Sequence, residues 1–257
     1  MARIPMMAGN WKMNNTISEA VVLAQEISNE YEKDWKERVD IVVCPPFLDI
    51  KPVWTVFDFD KSHIALGAQN CYWEESGAYT GEISIGMLKE ARAEYCIVGH
   101  SERRGLFDET NEDVNRKAKA LVAQGMHPIV CVGESLAVHD AHETNEFVCA
   151  QVKAAFAGMD AVEGAQCVVA YEPIWAIGTG RTALPEQAQE VCAAIRATLA
   201  ELFGQATADE VRILYGGSMK PANVNDLIAQ PDIDGGLVGG ASLEAKSFVT
   251  MIEACLK

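Results

Sequence analysis

The sequence predicts one α/β domain built as a closed (β/α)8 barrel, and three observations lead to that prediction. Short apolar runs of strand length recur eight times along the 257 residues, and amphipathic helical stretches lie between them. No linker rich in Pro, Gly or Ser divides the chain. Eight strand-and-helix units in about 250 residues is the size of such a barrel. We therefore expect residues 1–257 to form a single domain.

An open, doubly wound sheet is the alternative for a chain of alternating strands and helices. A dinucleotide-binding fold of that kind should carry a glycine fingerprint directly after its first strand. Here that position reads Gly9-Asn10-Trp11-Lys12, which does not fit the fingerprint. The count of eight units therefore favours the barrel.

The predicted strands are short apolar runs that end at proline, glycine or polar residues. A run of this length is too short for an ordinary helix and is typical of a buried strand. In chain order the runs are Met6–Trp11, Asp40–Cys44, Ile64–Gln69, Tyr95–Gly99, Pro128–Val132, Cys167–Glu172, Val211–Gly216 and Gly235–Gly239.

The predicted helices are bounded by capping residues and helix breakers. Thr16-Ile17-Ser18-Glu19 is a capping box, and the apolar residues that follow it lie on one helical face. The other predicted boundaries are Thr110 to about Gln124 with Gly125 as the stop, Pro185 to about Phe203, and helix starts at Pro221 and at Leu243-Glu244.

Composition excludes several classes of protein. A hydrophobic content of 49% is enough for a large core, and the net charge of −16 argues against a nucleic-acid surface, which needs a basic footprint. No apolar run approaches the roughly 18 residues of a membrane span. The N-terminus reaches Gly9-Asn10 too soon to be a signal peptide. We expect a cytoplasmic protein that binds neither nucleic acid nor membrane.

The cysteines and the nearest histidine cluster indicate neither disulfides nor a metal. The eight cysteines are never closer than 18 residues, so the chain has no CxxC motif. We expect free thiols in a reducing compartment. His139, His142 and Glu143 lie close together, but no second cluster accompanies them, and we predict no metal site.

Glu172 is the leading candidate for a catalytic group. It ends the apolar run Val168-Val169-Ala170-Tyr171 and is followed at once by Pro173. Active sites of these barrels lie at the carboxyl ends of the strands. The apolar segment after Pro173 closes in Gly178-Thr179-Gly180, which is typical of a lid. A base beside a lid that excludes water suits proton abstraction. A strand-end glutamate paired with a surface cation is the alternative.

Other strand ends carry residues that complement this base. Lys12 follows the first strand and could supply a cation to a phosphate. His100 ends the fourth strand and begins a helix, whose N-terminus keeps an imidazole neutral and able to donate a hydrogen bond. Gly216-Gly217-Ser218 and Gly239-Gly240 close the last two strands, where such barrels bind phosphate through backbone N–H groups. A solvated lysine, a core histidine and ordinary glycine turns are the alternatives.

Together these residues suit removal of a proton next to a carbonyl in a small phosphorylated substrate. Glu172 would take the carbon-bound proton, while His100 and Lys12 would stabilise negative charge on the enediolate oxygens. A Schiff-base aldolase that uses Lys12 is a second enzymatic interpretation. A phosphate-binding barrel without activity is the third, and it would not need Glu172 and His100 together.

Five motifs resemble the triosephosphate isomerase family, and the resemblance covers essentially the whole chain. They are Asn10-Trp11-Lys12, Gly99-His100-Ser101-Glu102-Arg103-Arg104, Tyr171-Glu172-Pro173, Tyr215-Gly216-Gly217-Ser218 and Leu237-Val238-Gly239-Gly240. The resemblance implies a TIM barrel that interconverts dihydroxyacetone phosphate and D-glyceraldehyde 3-phosphate in glycolysis and gluconeogenesis. It implies neither cofactor nor metal. The Glu base, the neutral His and the closing loop are the roles known for this family.

The same resemblance assigns roles to individual residues. Glu172 is the expected base and His100 the expected electrophile, while Lys12 and Asn10 hold the substrate. The expected phosphate site consists of Gly178, through its backbone, with Ser218, Gly239 and Gly240.

Residues around the site are also carried over from the family. Ile177 and Leu237 match an apolar pair that closes over the base. Arg103 and Glu109 match a buried pair that supports the histidine loop, and Cys131 matches a thiol beneath Glu172 that packs rather than reacts.

Family members are dimers in which a loop after the third strand enters the neighbouring site. Gly77-Ala78-Tyr79-Thr80-Gly81-Glu82 matches that loop, and Thr80 is expected near the partner's Asn10. The chain departs from the family pattern at four positions, which are Asn15, Gly105, Arg181 and Gly236. Asn tolerates positive φ better than most residues, so Asn15 is a mild change.

Overall fold

Eight parallel strands close into one barrel in the computed structural model, which describes residues 3–176 and 183–256. Each strand pairs with the next along the chain, and the eighth pairs back with the first from Met6↔Gly235 to Gly9↔Val238. The predicted (β/α)8 barrel is confirmed. The strands are β1 Met6–Asn10, β2 Asp40–Cys44, β3 Ile64–Ala68, β4 Tyr95–Val98, β5 His127–Val132, β6 Val168–Tyr171, β7 Ile213–Tyr215 and β8 Gly235–Val238.

Helices surround the barrel and connect its strands. Short 3₁₀ turns at Phe47–Asp49, Ile174–Ala176 and Gly240–Leu243 lie directly after strand ends. Within the described residues, no helix is both long enough and apolar enough to cross a membrane. The α-helices are α1 Ile17–Asn29, α2 Ile50–Asp60, α3 Ile85–Glu90, α4 Ser101–Leu106, α5 Asn111–Ala123, α6 Leu136–Asp140, α7 Thr144–Ala155, α8 Ala161–Ala165, α9 Pro185–Phe203, α10 Gln205–Glu210, α11 Val224–Ile228 and α12 Ala245–Ala254.

Most predicted boundaries lie within one or two residues of the observed ones. The Thr16 capping box is present, and Gly125 takes a φ of 73° just after α5. Asn15 has a φ of 72°, as its tolerance of this conformation suggested. The predicted helix start at Pro221 is wrong, because α11 begins three residues later, after its N-cap Asn223.

Two apolar layers hold the barrel together. Alternate strand residues point inward, where the fully buried Ala8, Val42, Ile97 and Leu214 belong to one cluster. Their neighbours along the strands point outward and pack against the helices in a second, larger cluster. Because both faces of every strand are covered, polar side chains emerge where the strands end.

Two glycines of β8 lie where a larger side chain would collide with neighbouring atoms. Gly235 has a φ of +136°, and a Cβ there would lie 1.8 Å from the carbonyl oxygen of Met6 in β1. At Gly236, a Cβ would lie 2.5 Å from the sulfur of Met219. Met219 is buried and occupies the space that a larger residue at 236 would need. This packing explains the departure from the family pattern at Gly236.

All eight cysteines are unpaired, and most of them are buried. Burial raises the pKa of the Cys44 and Cys167 thiols to about 12. Burial, with the nearby charge of Glu172, also raises the pKa of Cys131 well above its ordinary value. These thiols are protonated at neutral pH, which supports packing rather than chemistry as their role.

Candidate active site

One cleft of about 300 Å³ lies at the carboxyl ends of the strands. Every predicted site residue that the structure describes lines this cleft. The predicted lid is described only as far as Ala176, and Ile177, Gly178 and Arg181 lie outside the described residues. The lining residues are Asn10, Lys12, His100, Glu172, Gly216, Gly217, Ser218, Met219, Lys220, Leu237, Gly239, Gly240 and Ala241.

Glu172 directly follows β6, and the residue is 2% exposed. The backbone N–H of Ser101 donates to Oε2 at 2.9 Å, and the Ser101 hydroxyl donates to Oε1 at 3.1 Å. The Nε2 atom of His100 lies 3.0 Å from Oε1. These three donors hold the carboxylate against the beginning of α4. A carboxylate held in this way could contact another molecule only by giving up its hydrogen bonds with Ser101.

The same contacts set the ionisation of this carboxylate. Burial acts to raise the pKa of Glu172, but the contact with His100 and the hydrogen bonds from Ser101 outweigh it and lower the pKa below its ordinary value. Glu172 is therefore ionised at neutral pH. Removing the Ser101 donors while the site stays dry would raise its basicity.

His100 is the N-cap of α4 and is buried. Its Nδ1 accepts a hydrogen bond from the backbone N–H of Glu102 at 3.2 Å. An Nδ1 that accepts carries no proton, so the proton of the neutral ring lies on Nε2, which faces Glu172. This arrangement supports the predicted neutral, hydrogen-bond-donating imidazole.

Lys12 adopts a left-handed conformation with a φ of 54°, which is uncommon for a residue other than glycine. Its backbone N–H donates to Asn10 Oδ1 at 3.1 Å, and its carbonyl accepts from Gln69 Nε2 at 2.8 Å. Its ammonium lies 2.6 Å from a carboxylate oxygen of Glu102. Neighbouring side chains thus fix both ends of Lys12, and an unusual backbone held this firmly is typical of a functional residue.

The glycines at the end of β8 leave one side of the cleft open. A Cβ at Gly239 would lie 3.4 Å from Cε of Lys12, so the lysine stem passes close to this backbone. A Cβ at Gly240 would meet no heavy atom within 4 Å. Ser242 Oγ donates to the Gly239 carbonyl at 2.7 Å, and Asn223 Nδ2 donates to the Ser218 carbonyl at 3.0 Å. Side chains therefore fix the two loops while space remains above them.

A charge network with Glu109 and Lys117 buried at its centre includes Arg103, which lies in the helix that follows His100. Arg103 lies 3.2 Å from Glu109, the pair that the family resemblance implied. Glu109 is also 2.5 Å from the ammonium of Lys117, which donates to Asn70 at 2.9 Å. Sequence reasoning missed Lys117, since its helical position gives no indication of burial.

A second group of side chains surrounds Glu134, whose carboxylate is buried at the end of β5. Oε1 accepts from Trp175 at 2.7 Å and from the Tyr171 hydroxyl at 3.1 Å. His139 stacks on Trp175 with ring centroids 4.2 Å apart. Burial raises the pKa of Glu134 above its ordinary value. Within residues 3–176 and 183–256, no group of three His, Cys, Asp or Glu side chains is arranged to hold a metal.

A barrel cleft lined by a buried carboxylate, an imidazole and a lysine supports acid–base chemistry on a small anionic molecule. The fold and this cleft place the protein among the barrel enzymes that transfer protons. A sequence profile described as triosephosphate isomerase matches residues 5–255. The chain therefore belongs to the triosephosphate isomerase family, and its function is triose-phosphate isomerisation in glycolysis.

Individual relatives are similar along nearly their whole length. The chain is 48% identical over 252 residues to the triosephosphate isomerase of Lactobacillus delbrueckii subsp. bulgaricus, covering 98% of both chains. The identity to the Lactobacillus acidophilus enzyme is also 48%, with the same coverage. The triosephosphate isomerase of Streptococcus pyogenes serotype M2 is 50% identical over 253 residues, which cover 98% of this chain and 99% of that one.

Acid should destabilise the wild-type protein more than a Glu172→Gln variant. The folded-state pKa of Glu172 lies below its ordinary 4.5, so its stabilising contribution is fully present above pH 4.5 and is lost as the pH falls through the folded pKa. Glutamine does not titrate. We expect the wild-type Tm, measured by calorimetry, to fall more steeply than the variant's below pH 4.5. Parallel Tm curves would show that the contacts of Glu172 do not favour its ionised form.

Proposed function

We propose that the cleft interconverts dihydroxyacetone phosphate and D-glyceraldehyde 3-phosphate through an enediolate, with Glu172 as base and His100 as electrophile. The observation that carries the proposal is the 3.0 Å contact between His100 Nε2 and Glu172 Oε1 in a cleft that Lys12 also lines. A base and a hydrogen-bond donor this close can act on adjacent carbon and oxygen atoms of one substrate.

The base step begins with an ionised, buried Glu172. A substrate in the cleft would replace the Ser101 donors, and the carboxylate would then regain the basicity that those hydrogen bonds suppress. Leu237 gives this part of the cleft an apolar wall, which helps to exclude water. Glu172 takes a proton from the carbon beside the carbonyl and then delivers a proton, which can exchange with solvent while it is on the carboxyl group, to the neighbouring carbon.

The electrophilic step uses His100 and Lys12. The Nε2 proton of His100 is placed to hydrogen-bond the carbonyl oxygen that becomes negative when the carbon loses its proton. The Lys12 ammonium adds a positive charge at the same end of the barrel, and Asn10 holds the Lys12 backbone. A neutral imidazole can also pass its proton between the two enediolate oxygens.

The phosphate group would bind where the last two strands end. Ser218, Gly239 and Gly240 line that side of the cleft, and glycine lets backbone N–H groups approach an anion closely. The predicted contribution of the Gly178 backbone remains a prediction.

Lys12→Ala should weaken the binding of a phosphorylated analogue such as 2-phosphoglycolate by about tenfold or more, because a charge-assisted contact is lost. Isothermal calorimetry measures this directly. Lys33→Ala removes the same charge from an exposed segment between α1 and β2, at the opposite end of the barrel, and should bind normally. Unchanged affinity in Lys12→Ala would remove Lys12 from the phosphate site.

Borohydride with substrate should trap no covalent adduct on the protein, whereas a Schiff-base aldolase that uses Lys12 would be trapped.

The proposal includes a homodimer formed through the 77–82 loop, with Thr80 near the partner's Asn10. Tyr79 packs on Tyr72 with ring centroids 4.6 Å apart, so this exposed loop has a defined shape. Large apolar side chains in the segments that follow β1 and β4 are also exposed, including Met13 at 95% and Leu106 at 75%. A dimer formed at this end of the barrel would bury such side chains and remove them from water.

Sedimentation velocity tests the dimer. The wild-type protein should sediment as a dimer at micromolar concentration, and Tyr79→Asp should shift it toward monomer, because a carboxylate would be buried in the interface. Phe59→Asp changes another exposed aromatic residue, at the far end of α2, and should leave the dimer intact. A monomeric wild-type protein would contradict the proposed interface.

The proposal also places the enzyme in the cytoplasm, where free thiols stay reduced.

A further inference from the structure

We propose that Lys220 is a second cation for the substrate's phosphate group, which it attracts into the cleft and helps to hold. This inference rests on the proposed function and adds a residue to it. Lys220 lines the same cleft as Lys12, Ser218 and Gly240, and it lies two residues after Ser218 in the loop that follows β7.

The charges around the cleft show why a second cation matters. The Lys12 ammonium already lies 2.6 Å from Glu102, and Glu172 adds a second carboxylate. Without Lys220, these groups would carry one more negative than positive charge. A triose phosphate brings up to two further negative charges. With Lys220 included, the charges of Lys12, Glu102, Glu172 and Lys220 sum to zero.

The backbone around Lys220 is fixed rather than loose. Its N–H donates to Asn223 Oδ1 at 2.8 Å, and Asn223 Nδ2 donates to the Ser218 carbonyl at 3.0 Å. One asparagine side chain thus fixes the position of Lys220 relative to Ser218. Lys220 is exposed, and no carboxylate of the described residues forms a salt bridge with it. Its charge is therefore free to act on an incoming anion.

The net charge of the whole chain makes an unpaired cation at the cleft more important for binding an anion. At −16, the protein repels an approaching phosphate dianion over most of its surface. An unpaired lysine at the cleft attracts the phosphate locally, against the repulsion from the rest of the negatively charged surface. The contribution should weaken as salt screens it, because the side chain is exposed.

The test compares Lys220→Met with Lys220→Arg and with Lys33→Met as the matched control. Both Met variants remove one positive charge, but Lys33 lies at the opposite end of the barrel. Inorganic phosphate is the probe, as a competitive inhibitor and by calorimetry at two salt concentrations. We expect Lys220→Met to weaken phosphate binding and raise KM about threefold to tenfold, the effect of one partly screened charge. The loss should be larger at low salt and mostly restored in Lys220→Arg.

Equal values for Lys220→Met and Lys33→Met would overturn the inference, as would a loss that Lys220→Arg does not restore. Calorimetry of inorganic phosphate does not depend on turnover. A wild-type protein that binds phosphate but does not isomerise would refute the proposed mechanism and still leave the role of Lys220 measurable. A wild-type protein that turns over normally while Lys220→Met behaves like Lys33→Met would refute only the role of Lys220.

Discussion

Glu172→Gln is expected to lower kcat by about 10²–10⁴-fold, the contribution of a general base, while the binding of 2-phosphoglycolate stays largely intact. Glutamine keeps the size of the side chain and can still accept hydrogen bonds from Ser101, but it cannot take a proton from carbon. Steady-state kinetics with glyceraldehyde 3-phosphate and calorimetry with the analogue measure the two quantities separately.

Glu210→Gln is the control for that experiment. It removes the same charge from an exposed residue at the end of α10, on the opposite end of the barrel from the cleft. We expect it to turn over like the wild-type protein. Near-normal kcat in Glu172→Gln would exclude Glu172 as the base.

Gly133→Ala is expected to be the most damaging change of a single small residue near the site. A Cβ at Gly133 would lie 1.9 Å from the backbone carbonyl oxygen of Glu172, a contact that backbone movement alone can relieve. β5 and β6 would have to separate there, and the base would move with them. We expect a loss of more than about 4 kcal/mol in the free energy of unfolding, measured in urea at fixed protein concentration.

Gly105→Ala makes the same chemical change where the structure tolerates it. A Cβ at Gly105 would meet no heavy atom within 4 Å, and the residue lies inside α4. Alanine favours a helix over glycine, so this variant should be as stable as the wild-type protein or more stable by up to about 1 kcal/mol. A Gly133→Ala variant as stable as Gly105→Ala would show that the strands can relax around the new methyl group.

The sequence predicted what local chemistry decides. Apolar runs of strand length, a capping box at Thr16 and a glycine stop at Gly125 follow from short stretches of chain, and all three agree with the structure. Glu172 and His100 were recognisable because barrel strands deliver polar side chains to one end. Pro221 misled the prediction, because proline fits a turn as well as a first helical turn, and here Asn223 caps the helix.

Contacts between distant residues were not predictable in the same way. Ser101 and Glu172 are 71 positions apart, and Lys12 and Glu102 are 90 apart. Only closure of the barrel brings these pairs together. The contact between Gly236 and Met219 is of the same kind. The Met219 side chain fills the space that a larger residue at 236 would need, and the two residues meet only when β7 and β8 pair.

The most direct test of the proposed mechanism is isomerisation of D-glyceraldehyde 3-phosphate in D₂O, followed by proton NMR, with EDTA present and no cofactor added. Proton transfer through an enediolate exposes the abstracted proton on Glu172 to exchange with solvent. We therefore expect rapid turnover that places deuterium on the product carbon that receives the proton, and strongly reduced turnover in Glu172→Gln. Turnover retained at the wild-type rate in Glu172→Gln, or no product from a folded wild-type protein, would contradict the mechanism.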